Sequence, residues 1–297
     1  MTSATPRSGP TSRLAVPAAL AGLAFVALFF DVGRGLVSDW ATDDNYSHGF
    51  LVIPVALFLA WERRPALAAA ALRPSALGLL VVLGSLLLLG AGTLGAEMFL
   101  NRAAIVGVLA GTVLFVLGWT HLRLLAFPLA FLLLMIPLPA LLFNQVALPL
   151  QLLASQVGEA GLEAVGVPVL REGNVMILAN TTLEVAEACS GIRSLVSLLT
   201  LGVVYAYFMD SRLWVRWLLT LATVPIAVLT NGLRVAGTGI AAHRYGPEAA
   251  EGFLHGFSGW LVFVAALALL FTLREVINRI TPDPNIAPGL PASPASA

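Results

Sequence analysis

The sequence predicts an all-α integral membrane protein of about eight transmembrane helices, with a short extracytoplasmic β-hairpin-like segment before the sixth. Three observations predict it. Of 297 residues, 59% are hydrophobic and 11% are charged, whereas a soluble domain covers itself with about a quarter charged residues. Mean hydropathy is +0.91, so lipid must serve as much of the solvent. The apolar residues fall into runs near the length of about 20 helical residues that crosses a bilayer core.

The runs place spans near 14–30, 47–61, 76–95, 103–119, 122–143, 191–209, 214–236 and 257–273. The second is the shortest. The first is expected to stay as an anchor, because Phe29-Phe30-Asp31 has no small-x-small cleavage site. Residues 1–13 then form a cytoplasmic tail and 14–280 the polytopic body. Residues 281–297, rich in Pro, Ala and Ser, read as a disordered tail. All 16 basic residues are Arg. With a cytoplasmic N-terminus and alternating spans, ten fall inside and six outside, as the positive-inside rule asks. Both termini are then cytoplasmic. Zero net charge gives no argument for nucleic-acid binding.

The longest stretch outside these spans is 144–190, on the outer side. Gln145 to Val165 has helical character and is expected at the membrane interface. Val167–Leu170 and Val175–Leu178, joined at Glu172-Gly173-Asn174, read as a small hairpin. The alternating Thr182-Leu183-Glu184-Val185 leads into Cys189.

Polar chemistry collects at three span ends. The first is Glu187-Ala188-Cys189-Ser190-Gly191-Ile192-Arg193-Ser194, before the sixth span. Cys189 is the sole cysteine, so it forms no internal disulfide; it is a buried small residue or a reactive thiol. A helix N-terminus favours the thiolate, the nucleophilic form. The second is Asn231-Gly232-Leu233-Arg234, where Asn231 and Arg234 share a helix face towards the outer end of the seventh span. An intramembrane Arg costs about 2.5–3.5 kcal/mol on insertion scales, so it has a partner or a task. The third is His255-Gly256, before the eighth span. Alternation brings Cys189, Arg234 and His255 to one face at similar depth. His can take the thiol proton, the thiolate can attack a carbonyl, and Arg can stabilise the oxyanion. Each residue also has a plain structural reading: packing for Cys189, helix anchoring for Arg234, a cap or loop hydrogen bond for His255.

Tyr46-Ser47-His48-Gly49 lies on the same side. His48 is a second base or holds a loop, and the supporting role is preferred. Arg193 could meet a substrate carboxylate or pair with Glu184 or Glu187. His121 and His243 carry no motif and read as surface residues. Nothing in the pattern implies a metal or cofactor.

At these residues the sequence resembles the exosortase/archaeosortase family of membrane cysteine transpeptidases. The likeness rests on Ala188-Cys189-Ser190-Gly191-Ile192-Arg193-Ser194, on Asn231-Gly232-Leu233-Arg234 and on His255-Gly256, in that order. Tyr46-Ser47-His48-Gly49-Phe50 and Pro137-Leu138-Pro139 with Leu150-Gln151 also resemble family motifs. It covers roughly residues 35–275. The resemblance implies a thiol protease or transpeptidase of the bacterial inner membrane, with its active site facing the periplasm. Its partners would be C-terminal sorting signals of the PEP-CTERM type, carrying a Pro-Glu-Pro motif, a transmembrane helix and a basic tail. A glycan or lipid amine of the envelope would resolve the acyl-enzyme. Cys189 would be the nucleophile, His255 the general base and acid, and Arg234 the oxyanion holder. Ser190, Arg193, Asn231, His48 and Tyr46 would support or bind substrate. The alternative is a non-enzymatic component of exopolysaccharide assembly or export, which would spread polar residues through many spans. A serine-type protease or acyltransferase lacks its Gly-x-Ser-x-Gly elbow here.

Overall fold

The computed structural model describes residues 10–179, 181–184, 192–246 and 253–283; within these, side chains of 10–18, 184, 192–194 and 253–258 are not described. Ten helices and three strands appear among the described residues. They are α1 (Pro10–Thr42), α2 (Gly49–Glu62), α3 (Arg64–Ala69), α4 (Leu77–Leu94), α5 (Met98–Val116), α6 (Trp119–Phe131), α7 (Ala140–Ala164), β1 (Val169–Glu172), β2 (Val175–Leu178), β3 (Thr182–Glu184), α8 (Ile192–Met209), α9 (Leu213–Tyr245) and α10 (Phe253–Ile280). The protein is therefore a largely helical membrane protein with a small sheet.

Six helices are long and apolar enough to cross a bilayer: α1 over 19–42, α4, α5, α7, α9, and α10 over 259–280. Gly49–Glu62, Trp119–Met135 and Leu195–Met209 are apolar but shorter. The expected count of eight full spans is thus not what forms. The expected fifth span, 122–143, is broken. Pro137 and Pro139 carry no N–H to continue a helix, so α6 ends in one 3-10 turn, Leu132–Met135, and α7 starts afresh at Ala140. The stretch expected at the interface is instead the body of this 25-residue helix.

The chain packs as two compact units, Met1–Asp43 with Gly49–Pro137, and Asp44–His48 with Leu138–Ala297. In the first unit successive helices alternate in direction. The end of α1, the start of α2, the start of α5 and the turn after α6 come together. Gly49 lies against the Trp40 indole, whose Nε1 donates to Met135 O at 2.9 Å, and Arg102 pairs with Asp39 at 2.6 Å. At the other end the Arg73 N–H donates to Leu117 O. Helices α4 and α5 touch through small residues. Gly78, Ser85 and Gly92 recur every seven residues on the buried face of α4, and Gly107 and Gly111 answer on α5. Such faces let backbones approach where lipid supplies no hydrophobic drive. His121, expected at the surface, is buried in α6 at 4% exposure. It lies on the helix face that carries Pro128 and Phe131 inward. His243 is exposed as expected.

The second unit is arranged along α9. Its 33 residues span about 50 Å, against about 30 Å of hydrocarbon core. Three apolar clusters follow one another up this helix. Val215 and Leu219 meet Ala206, Leu270 and Ile277. Ala227 meets Leu198 and Ala266, with Ala147 and Leu150 of α7. Val235 and Ala236 meet Ala154 and Leu162 of α7, with Val167, Met176 and Leu178 from the sheet. Because 147 is level with 227 and 162 with 239, α7 runs parallel to α9. Helices α8 and α10 run antiparallel to it.

The sheet has the order β1-β2-β3, all antiparallel. Gly173, with φ +67, takes the first central position of the two-residue turn between β1 and β2, as a type II′ turn requires. The hairpin is the one the sequence predicts. At the opposite end, Asp210 is buried and accepts from the Arg212 backbone N–H, Nε and Nη2. That pairing holds the Arg212 guanidinium above its ordinary value. Asp283 accepts from the Ser211 N–H and Oγ, and Arg212 also donates to Thr281 O. The chain is therefore held through Asp283, and the rest of the expected tail, 284–297, lies outside the described residues.

A methyl at Gly78 would collide with the Phe115 backbone, whereas Gly84 on the same helix has open space around it. Gly78→Ala is expected to cost about 1–3 kcal/mol and to lower the thermal midpoint of the detergent-purified protein. Gly84→Ala should not lower it. Equal midpoints would show that α4 and α5 do not depend on this contact.

Candidate active site

The motif 231–234 lies inside α9, eleven residues before its end at Tyr245. The expected span stopped at 236, just before Gly237 and Gly239. Both are accommodated within the helix, which ends at Gly246 with φ +95. Each residue of the motif faces a different environment. Asn231 points inward and is 1% exposed. Gly232 meets Val157 and the Ala154 carbonyl so closely that a methyl would sit 3.1 Å from that oxygen. Leu233 points outward, 54% exposed. Arg234 is half-buried and turns to α10, where a methyl on Gly259 would lie 3.7 Å from Nη2. Asn231 and Arg234 are both engaged by neighbouring groups.

Position 255 falls in the first turn of α10 rather than before it, since that helix begins at Phe253. It lies four residues before Gly259, on the same helical stripe. The backbone thus sets position 255 one turn from the point where Arg234 meets α10. Arg193 occupies the first turn of α8, which begins at this same end of the unit, since Leu195 belongs to the cluster around Leu150 and Ala227. Cys189 and Ser190 lie outside the described residues, two to three positions before α8 begins. Between β3 and α8 only seven residues intervene. The segment with the cysteine is therefore tied at one side to the sheet and at the other to the start of α8.

The turn with Tyr46 and His48 belongs to this second unit. Tyr46 packs its ring against Phe143 in the first turn of α7 at 6.4 Å, and against His48 at 6.5 Å. Ser47 Oγ donates to Asp44 O. His48 is buried at 7% and is engaged by its surroundings. Phe143 is fourteen residues before Val157, the residue that meets Gly232. Along α7 that is about 21 Å.

The sequence reading did not single out Gly259 or Gly232. For Gly232 the signal was present: Gly158, Gly161, Gly232 and Gly239 are small residues at three- and seven-residue spacings, the pattern of close helix contact.

The transmembrane exosortase family matches this chain over residues 40–272. The chain belongs to that family. The match includes every motif described above, from Trp40 through Arg234 and Gly259. No curated protein and no solved structure matches the chain. This exosortase is therefore a multi-pass membrane protein of a family of cysteine transpeptidases.

Within 231–234 the two outermost burial states make opposite predictions. Asn231→Leu strands the polar groups that the buried amide engages, and is expected to cost about 1–3 kcal/mol, seen as a lower thermal midpoint in detergent. Leu233→Ala should leave the midpoint in place. A stable Asn231→Leu protein would mean the amide is not structurally required.

Proposed function

We propose that this exosortase is a membrane-embedded cysteine peptidase/transpeptidase. It cleaves C-terminal sorting signals of exported proteins on the outer side of the bacterial inner membrane. Family membership supports the class. The observation that carries the reading to this chain is the packing of Arg234 against Gly259, one turn from position 255, at the end of the unit where α8 begins after Cys189.

The Sγ of Cys189 attacks the scissile carbonyl carbon while His255 takes the thiol proton. Arg234 stabilises the negative charge that develops on the carbonyl oxygen. When the intermediate collapses, the C–N bond breaks and His255 returns the proton to the leaving amine, which carries away the helix and basic tail. The acyl chain stays on Cys189 as a thioester. Water, or an amine of an envelope glycan or lipid, then attacks the thioester; the proton passes through His255 and the thiol is restored. Arg193, Ser190 and Asn231 position substrate or the three reacting groups, whereas His48 and Tyr46, about 21 Å along α7 from Gly232, would touch substrate away from them.

In this reading the end of the second unit that carries the sheet and Arg234 faces outward, which puts the end of α10 on the cytoplasmic side. Helix α9 then runs from the cytoplasmic to the outer side, and α7 runs with it, so the sheet follows outside.

The test is co-expression with a model substrate that ends in a Pro-Glu-Pro sorting signal. Wild type should shorten the substrate on a gel, and Cys189→Ala should leave it full length at equal membrane abundance. Processing by Cys189→Ala would overturn the reading. A leucine at 259 would take the space of the guanidinium, and a misplacement of about 1 Å can cost roughly 100-fold. Gly259→Leu is therefore expected to slow cleavage by at least about ten-fold, and Gly259→Ala by less.

A further inference from the structure

The strand that leads into Cys189 is the edge strand of its sheet. Among the described residues, β2 is the sole partner of β3. The other edge strand, β1, is held against α7: Arg171 Nε pairs with Glu159 at 2.6 Å, and Arg171 Nη1 and Ser155 Oγ both donate to Gly173 O in the turn that follows.

Hydrogen-bond parity decides what β3 presents. The Leu178 N–H donates to Thr181 O at 2.8 Å, which makes 178 and 181 a bonded pair. Bonded pairs alternate along an antiparallel ladder, so Met176 and Leu183 are bonded, whereas Ile177 and Thr182 are opposite each other without bonds. The N–H and C=O of Thr182 therefore point away from β2, towards the open edge. No hydrogen bond to either group occurs among the described residues, and the Thr182 side chain is exposed. Unpaired edge groups are a template for another strand.

This edge does not drift. Leu183 packs against the cluster of Met176, Leu178, Leu162 and Val235, and Val235 adjoins Arg234 in sequence. Cys189 is five positions beyond Glu184, a reach of at most about 18 Å.

We infer that the outer edge of β3 binds the extended stretch of the substrate as a fourth strand and so presents its scissile bond to Cys189. This inference rests on the cysteine-peptidase reading above and names how that site holds its peptide. Main-chain bonds supply the affinity, and the binding is tolerant of side chains at alternate positions. A Pro-x-Pro stretch can pair in this way through its middle residue alone, because prolines spaced by two turn their missing N–H to the outer side.

The experiment uses the full-length protein in membranes with the co-expressed substrate. Thr182→Pro removes an outward N–H while leaving the bonds between β2 and β3 in place. It is expected to slow cleavage by at least roughly ten-fold at unchanged membrane abundance. The second measurement uses Cys189→Ala/Thr182→Cys, whose single thiol is at the edge, with substrates carrying one cysteine at successive positions. Disulfides should form at alternate substrate positions, the period of a paired strand. If wild type cleaves and Thr182→Pro cleaves equally well, or if trapping shows no period of two, the edge does not bind substrate and the peptidase reading stands. If wild type does not cleave, the peptidase reading falls and this inference falls with it.

Discussion

Where α7 and α9 meet there is no room for side chains, and the second unit depends on that. Val157 and the Ala154 carbonyl fill the place of a side chain at Gly232, Val235 closes on Gly158, and Leu162 closes on Gly239. In a bilayer two helices gain little from hydrophobic burial, since lipid is as apolar as leucine; close backbone packing supplies the association. Here that packing also sets direction. Two parallel helices joined along three turns carry the sheet and Arg234 as one piece. Larger residues at these glycines would part the helices and move the whole assembly relative to α10.

The opposite end of the same unit is held by a different means. Asp210, Arg212, Ser211 and Asp283 satisfy one another where α8, α9 and the end of α10 converge, and Arg216 Nε donates to Asp210 O. A carboxylate buried to 1% is tolerable only because its oxygens accept several charge-assisted bonds. The result is a helical bundle clamped by polar groups at one end and by glycine contacts at the other. Between them, apolar clusters keep α8, α9 and α10 in register. Arg234 and position 255 sit at the glycine-packed end, where a cation can be held between helices without a large side chain in the way.

Much of this was legible in the sequence, and the failures have physical causes. Composition sufficed for the membrane class, and the alternation with Gly-Asn sufficed for the hairpin. Spans 76–95 and 191–209 coincide with α4 and α8 within a residue or two. The proline pair 137–139 was visible, yet hydropathy continues across it, so periodicity alone merged α6 with the start of α7. Helix α7 itself was misplaced because Gln151, Ser155 and Gln156 interrupt its apolar run; two of these, Gln151 and Ser155, turn out to be buried against protein. His121 failed for the same reason: a single polar residue gives no sign of whether protein or water surrounds it. Arg234 was found by its cost in lipid, but its neighbour Gly259 was not, because a glycine that makes space leaves no chemical mark.

That asymmetry explains why Arg234 and position 255 read as isolated residues in sequence and as neighbours in space. An arginine part-way along α9 needs its charge compensated and its long side chain accommodated. Gly259 supplies the room, and the first turn of α10 begins within six residues of it. A positive guanidinium beside a helix start is a poor resting environment for a cation, since both are electropositive. It is a good environment for a group that becomes negative. A thiolate, and then an oxyanion, are the charges that such a place stabilises best, and α8 begins three positions after the chain's only cysteine.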